Sequence, residues 1–371
     1  MKNIEFREEL TDALAVVLSD QVRAGLDILT HGDYFHDEDV GGHTWHRYPL
    51  ERWSGLEGDY PMRPELADNM LGRYPPGTIL HEVFGSWAWP RVVDRIQRSE
   101  ETPLEYAKIW RLAQARAERP VRFGTVSAQG IHHFVDIRTP HYASDRRELI
   151  WDLASVMNAE LRELAAAGCN VIQVEEPLIH LVAATDPHDP GMIDFLVDAF
   201  NHEVDGLGDV EVWVHTCWGN PNMQMGTDNP SYANSVEIFM ERLHADVWTI
   251  ELRDLGSGML KLLEPYRGQT QKKLAIGVVN HRTLQVETAA EVALLVREAL
   301  RYIEPKNLIL SSNCGFGRQG CNRLIAFYKA VAIAQGANIV RGELGLEQRY
   351  ITAADPRLQV DVLPTAFAGI G

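Results

Sequence analysis

"DVEVWVHTC", residues 209–217, decides the fold: a short, nearly continuous β-branched and aromatic run that breaks at once into a histidine and a cysteine. A strand apolar at successive positions is buried on both faces, the signature of a parallel sheet covered by helices. Six further runs have this character: "GLDILTHGD" (25–33), "VRFGTVS" (121–127), "NVIQVEEP" (170–177), "DVWTIELRD" (246–254), "KLAIGVVNH" (273–281) and "NLILSSNCG" (307–315). Helical patterns such as "ELIWDLASVMNAELRELAAAG" and "AAEVALLVREALRYI" lie between the later ones. Strand and helix in regular alternation predict βα units, and seven units without a reversal predict an α/β fold of the (β/α)8, TIM-type barrel class. Residues 34–120, rich in Trp, Pro, His and Gly, fit the alternation less well and read as an insertion over the C-terminal face of the barrel. The expected organisation is one catalytic barrel over 1–371, with a C-terminal tail at 346–371.

Composition narrows what such a barrel does. The chain has 371 residues, a formal net charge of −17 and 45% hydrophobic residues, with a mean hydropathy of −0.20. That negative balance argues against nucleic acid or an anionic membrane as a partner. No run reaches the roughly 18 apolar residues of a membrane span, and "MKNIEFREEL" has no signal-peptide core. Four cysteines in so long a chain make no disulfide framework, so a cytoplasmic enzyme of small molecules is expected.

The polar residues fall at the strand ends. Asp33, Glu175 and Glu176, His215 and Cys217, Glu251, His281 and Cys314 each follow the apolar part of a different strand. In a barrel these ends open on one face, where the chemistry is done. Two cysteines, a histidine and a glutamate form a tetrahedral zinc set of two soft and two harder donors. Taken alone, His-x-Cys reads as a buried strand end, because a free cysteine packs as a small hydrophobe; convergence of several strands favours the metal. Cys169, before a strand, reads as core, and Cys321 as packing at the start of the last helix.

In order and spacing, "VIQVEEP", "VHTCW", "TIELRD", "IGVVNH" and "SSNCGFGR" resemble the catalytic barrel of the cobalamin-independent methionine synthase family, and "QVRAGLDILTHGD" resembles its first helix and second strand. The resemblance runs over most of residues 5–345 and implies zinc held by His215, Cys217, Glu251 and Cys314. It also implies His281 as proton donor to the leaving group, and Asp33 and Glu175 as holders of the thiol substrate's amino group, with Glu176 beside them. The implied partners are a small thiol acceptor such as homocysteine and a small alkyl donor. The chemistry is coherent: a free thiol is mostly protonated at neutral pH, a metal-bound one is not.

Some features depart from the family. Full-length members carry a second, N-terminal barrel absent here, Glu175 stands where Asp is usual, and Asp33 where Glu is frequent. A relative, epoxyalkane:coenzyme M transferase, opens epoxides with the same zinc–thiolate chemistry. The ending "CGFGRQGCNRLIAFYKAVAIAQGANIVRGELGL" is similar to that branch, where Arg318 or Arg323 would hold a sulfonate.

Two rival readings come from other classes. Gly315, Gly317 and Gly320 form G-x-G-x-x-G, the fingerprint of a nicotinamide-dependent oxidoreductase. It follows the last strand rather than opening the first βαβ unit, and lacks the acid expected about 20 residues on. A purely structural zinc, closed by four protein ligands, is the non-enzymatic alternative. The histidines of "THGDYFHDEDVGGHTWHRYPLERW" (30–53) have no convincing ligand spacing and read as a lid loop. The barrel still needs an eighth strand, since seven leave two open edges. "RLQVDVLPTAFAGIG" looks like the stretch with which the family normally begins, so residues 358–369 are expected to pair in parallel with 26–30 or 307–311. A strand swapped from a second copy in a homo-oligomer, or one missing before the first helix, would serve the same need.

Overall fold

The computed structural model describes residues 4–33, 44–61, 76–78, 81, 88–185, 190–219, 225–227, 230–317 and 321–358. The seven runs become the seven strands of one curled parallel sheet, taken in chain order. After helix α1 (Ile4–Ala24) comes β1 (Leu29–Thr30). The insertion then supplies α2 (Thr44–Leu50), β2 (Ser54–Pro61), β3 (Ala88–Gln97) and α3 (Tyr106–Gln114). β4 (Val121–Val126), a short α4 (Ala128–Ile131), β5 (Asp136–Ile137) and α5 (Arg146–Ala166) follow. β6 (Val171–Glu175), α6 (Pro177–Thr185), α7 (Pro190–Glu203), β7 (Glu211–His215) and β8 (Val247–Ile250) continue the sheet and its cover. β9 (Lys273–Val279), α8 (Ala289–Ala299), β10 (Leu308–Ser312) and α9 (Arg323–Glu343) complete it.

Burial accounts for the apolar runs. β8 is buried at every position and β9 at all but its first, so both faces are largely apolar, and the polar Thr249 of β8 is hydrogen-bonded. β10, by contrast, is only partly buried throughout. It and β1 are the ends of the described sheet, order β1-β4-β6-β7-β8-β9-β10. The expected eighth strand at 358–369 falls almost wholly outside the described residues; Leu358 closes a 3₁₀ turn and is 57% exposed. The fold is nonetheless a mixed α/β fold of the TIM-barrel type, its parallel sheet curling around a lumen.

Glycine sets one close approach. A Cβ on Gly277 of β9 would lie 2.2 Å from Asn313 Oδ1 and 2.6 Å from its Cα, so only glycine lets the end of β10 cross there. Asn313 Oδ1 then accepts the amides of Leu252 and Arg253, both at 3.0 Å, which fixes the turn after β8.

The insertion builds a second sheet, β2-β3-β5, with β2 antiparallel to β3. Its Pro- and Gly-rich strands lack clean alternation, and pairing to β5, beyond β4, could not be anticipated locally. Arg98, just past β3, binds both oxygens of Glu160 on α5 (2.7 and 3.2 Å), so this layer also packs on the outside of the barrel. α3 does ordinary barrel service: Trp110 Nε1 donates to the Val121 carbonyl at 2.9 Å.

Candidate active site

The C-terminal strand ends bring together three of the expected ligands. One donor atom each from His215, Cys217 and Cys314 lies within 4.8 Å of the others. β7 ends at His215, and the following turn carries Cys217 back over the rim; Cys314 arrives from β10 on the far side of the sheet. His215 Nδ1 is 2.7 Å from Thr249 Oγ1, which donates in turn to the Val214 carbonyl at 3.2 Å. With its own proton committed there, the Thr249 hydroxyl accepts from Nδ1–H, which leaves Nε2 as the nitrogen with a free lone pair. Nε2 is buried and makes no hydrogen bond to a described residue.

The electrostatics of the trio are strongly interdependent. A hydrogen bond from the Cys314 thiol, and the nearby His215, hold the Cys217 thiol well below its ordinary value against the effect of burial. The same bond, with burial, pushes Cys314 well up. Burial pulls His215 down, but the negative charges of Glu175, Cys217 and Glu251 outweigh it and hold the imidazole at about 9. Two sulfurs, an imidazole and a nearby carboxylate share one space, and a soft divalent cation would hold them there in their deprotonated forms. By donor chemistry and by its orphaned nitrogen, the set fits zinc.

Glu251, the fourth expected ligand, is fully buried beside the trio but spoken for. Arg282 Nη1 donates to Oε2 and Nη2 to Oε1, each at 2.6 Å, and the Trp218 amide adds a bond to Oε1 at 3.0 Å. Arg282 is anchored further by Asp254 Oδ2 (2.8 Å) and the Gly219 carbonyl. Even so, burial pushes the Glu251 carboxyl up to about 7. Sequence reading missed Arg282; nothing local marks it out from its place after His281, since its role comes from Glu251.

The other expected residues separate. His281 is buried two residues beyond β9. Glu175, at the end of β6, and Asp33, beyond β1, line a cavity of about 1050 Å³ together with His215, Cys217 and Cys314. Asp33 adopts φ 60°, a left-handed conformation that Asp tolerates better than most residues. Glu176 turns the other way: its Oε1 accepts the amides of Leu178 (2.8 Å) and Ile179 (2.9 Å), capping α6. Burial raises its carboxyl to about 7. Arg323 is exposed on the border of the same cavity and paired there with Asp20 at 2.6 and 3.0 Å, while Arg318 lies outside the described residues, as does Gly320. Cys169 is core as expected: burial moves its thiol up to about 11.

A parallel barrel whose rim presents thiols, an imidazole and carboxylates to one cavity defines a candidate metal-dependent enzyme of the TIM-barrel class. The family described as "Cobalamin-independent synthase, Catalytic domain" matches residues 90–335, and the chain belongs to it. The methionine synthase of Saccharolobus solfataricus is 25% identical over 346 residues, covering 93% of this chain and 88% of that protein. The methionine synthase of Sulfurisphaera tokodaii is 25% identical over 345 residues, covering 92% and 85%. Among solved structures, the B12-independent methionine synthase from Shewanella sp. W3-18-1, in complex with selenomethionine, superposes with a TM-score of 0.71 at 22% identity, covering 93% of this chain and 91% of that one. A methyltransferase from Methanosarcina mazei gives a TM-score of 0.52 at 13% identity, covering 89% and 86%. Membership of this family leaves the dinucleotide-binding reading of Gly315, Gly317 and Gly320 without support. Among the described residues, no helix is long and apolar enough to cross a membrane.

Proposed function

We propose that this protein transfers an alkyl group, in the first instance methyl, onto the thiolate of a small thiol such as homocysteine, with zinc at His215, Cys217, Cys314 and Glu251. The observation that carries the reading is the convergence of one imidazole and two thiols within 4.8 Å at the mouth of the cavity. The family, and the methionine synthases to which the chain is similar over most of its length, support the reaction class.

Zinc, when bound, would keep an acceptor thiol ionised and nucleophilic at neutral pH. Two thiolates and a carboxylate around it favour an electron-rich thiolate over activated water. The chain's own residues supply the rest. Thr249 orients His215; Arg282 holds Glu251 in place and offsets the negative charge that builds up as an anionic thiol enters. Glu175 and Asp33, on the cavity wall, receive the ammonium of an amino-acid thiol. His281 gives a proton to the nitrogen or oxygen leaving the alkyl donor, the ordinary service of a histidine near neutral pH. Opening of an epoxide by coenzyme M would need a cation for the sulfonate; of the two arginines expected from sequence, Arg323 is paired with Asp20 and Arg318 lies outside the described residues.

The test is to incubate zinc-loaded protein with homocysteine and, in turn, methylfolates, methylcorrinoid and small epoxides, and to follow thioether products by mass spectrometry. Methionine formation is the expected result. Absence of any thioether with all donors would refute the proposal.

A further inference from the structure

Arg122 is the second residue of β4, a lone cation in an otherwise apolar or small strand, "VRFGTV". It lines the same cavity as the thiols. Its guanidinium carbon lies 4.8 Å from the centre of the Trp213 ring. Trp213 stands two residues before His215 on β7, about 6.6 Å lower at the rise of a parallel strand. Among the described residues the guanidinium makes no hydrogen bond and no ion pair, and its Nε is fully buried. Burial lowers its hold on a proton to about 10, although Glu175 and Asp33 pull the other way. Arg122 is only partly buried: its Nε is shut away against the ring, and its outer nitrogens, unpaired among the described residues, are open to an anion entering the cavity.

We propose that Arg122 is an anion-binding residue on the wall of the thiol site, and that the acceptor is therefore a small thiol carrying an acidic group. This rests on the reading that the cavity receives a thiol. The vertical offset between Trp213 and His215 suits a thiol acid about the size of an amino acid, sulfur at the rim and acid below. Arg122 beside two carboxylates is the pattern that receives a zwitterion: Glu175 and Asp33 take the ammonium and Arg122 the carboxylate, bidentately. A sulfonate would use Arg122 in the same way without the acids.

The experiment is calorimetric titration of zinc-loaded wild type, Arg122→Met and Arg122→Lys. The probes are 2-mercaptoethanesulfonate against 2-mercaptoethanol, and norleucine against norleucinol. Wild type should bind at least one acid about 10- to 100-fold tighter than its alcohol, the effect of a charge-assisted bond. Arg122→Met should lose that ratio while its affinity for 2-mercaptoethanol is unchanged, and Arg122→Lys should recover part of it. A preference confined to norleucine assigns the carboxylate of an amino acid; one confined to 2-mercaptoethanesulfonate assigns a sulfonate. Acids and alcohols binding alike in wild type, no binding of any probe, or a preference that survives Arg122→Met would overturn the proposal. Because norleucine has no sulfur, its arm reads the anion site even if thiol alkylation fails. Conversely, thioether formation with no acid preference would spare the enzyme reading and remove Arg122 from it.

Discussion

Arg282 and Glu251 form a two-pronged ion pair, Nη1 to Oε2 and Nη2 to Oε1, both at 2.6 Å, with Glu251 fully buried. Such a pair is weak evidence of stability, since burial of both charges offsets their attraction, but breaking it leaves a carboxylate stranded. Arg282→Met is expected to destabilise the protein by about 3–5 kcal/mol in urea unfolding. The double variant Arg282→Met/Glu251→Gln should recover a large part, because the two residues are coupled. Additive losses would show that the pair does not act as a unit.

Thr249 is the means by which the fold chooses the tautomer of His215. Thr249→Val keeps shape and burial but removes the 2.7 Å contact to Nδ1. Zinc affinity, read by competition with a chromogenic chelator, should fall about 10- to 100-fold with the fold unchanged by circular dichroism. Unaltered affinity would mean that the imidazole is oriented by packing alone.

His281→Asn separates chemistry from binding. Zinc content and thiol binding should stay at wild-type levels, while turnover drops by about 10²- to 10⁴-fold, as for a lost general acid. Wild-type turnover would reduce His281 to a structural residue of the rim.

Glu203 ends α7 fully buried; its Oε2 accepts the Ala128 amide at 2.9 Å, and burial, with Glu176 nearby, pushes its carboxyl well above the usual 4.5. The folded state therefore keeps a proton that the unfolded chain has released. That contribution is whole below about pH 4.5 and is lost as pH rises through the raised value. Glu203→Gln, neutral at every pH, should gain stability over wild type at pH 8 and show little difference at pH 4.5, by urea midpoints. An equal offset at both pH values would exclude titration as the cause.

Much of this arrangement was legible in the chain because burial on both faces makes a parallel strand predominantly apolar. "DVEVWVHTC" and "KLAIGVVNH" therefore announce both the strand and the point where it meets the cavity. Residues that act through partners far along the chain were not legible. Arg282 acquires meaning from Glu251, 31 positions away, and Thr249 from the neighbouring strand. Arg122 is one charge in an apolar run until the lumen places Trp213 beneath it. Of the adjacent pair Glu175 and Glu176, one lines the cavity and the other caps a helix, a difference set by side-chain direction rather than composition. Arg323 illustrates the converse: a cation in a suggestive stretch whose charge the fold gives to Asp20.

Metal content of the purified wild type and of Cys217→Ser and Cys314→Ser, with cobalt replacing zinc, tests the central claim most directly. The expected result is about one zinc per chain in wild type, an intense thiolate-to-cobalt absorption that shifts when homocysteine is added, and loss of both metal and activity in either variant. Metal-free wild type, or serine variants that remain active, would contradict it.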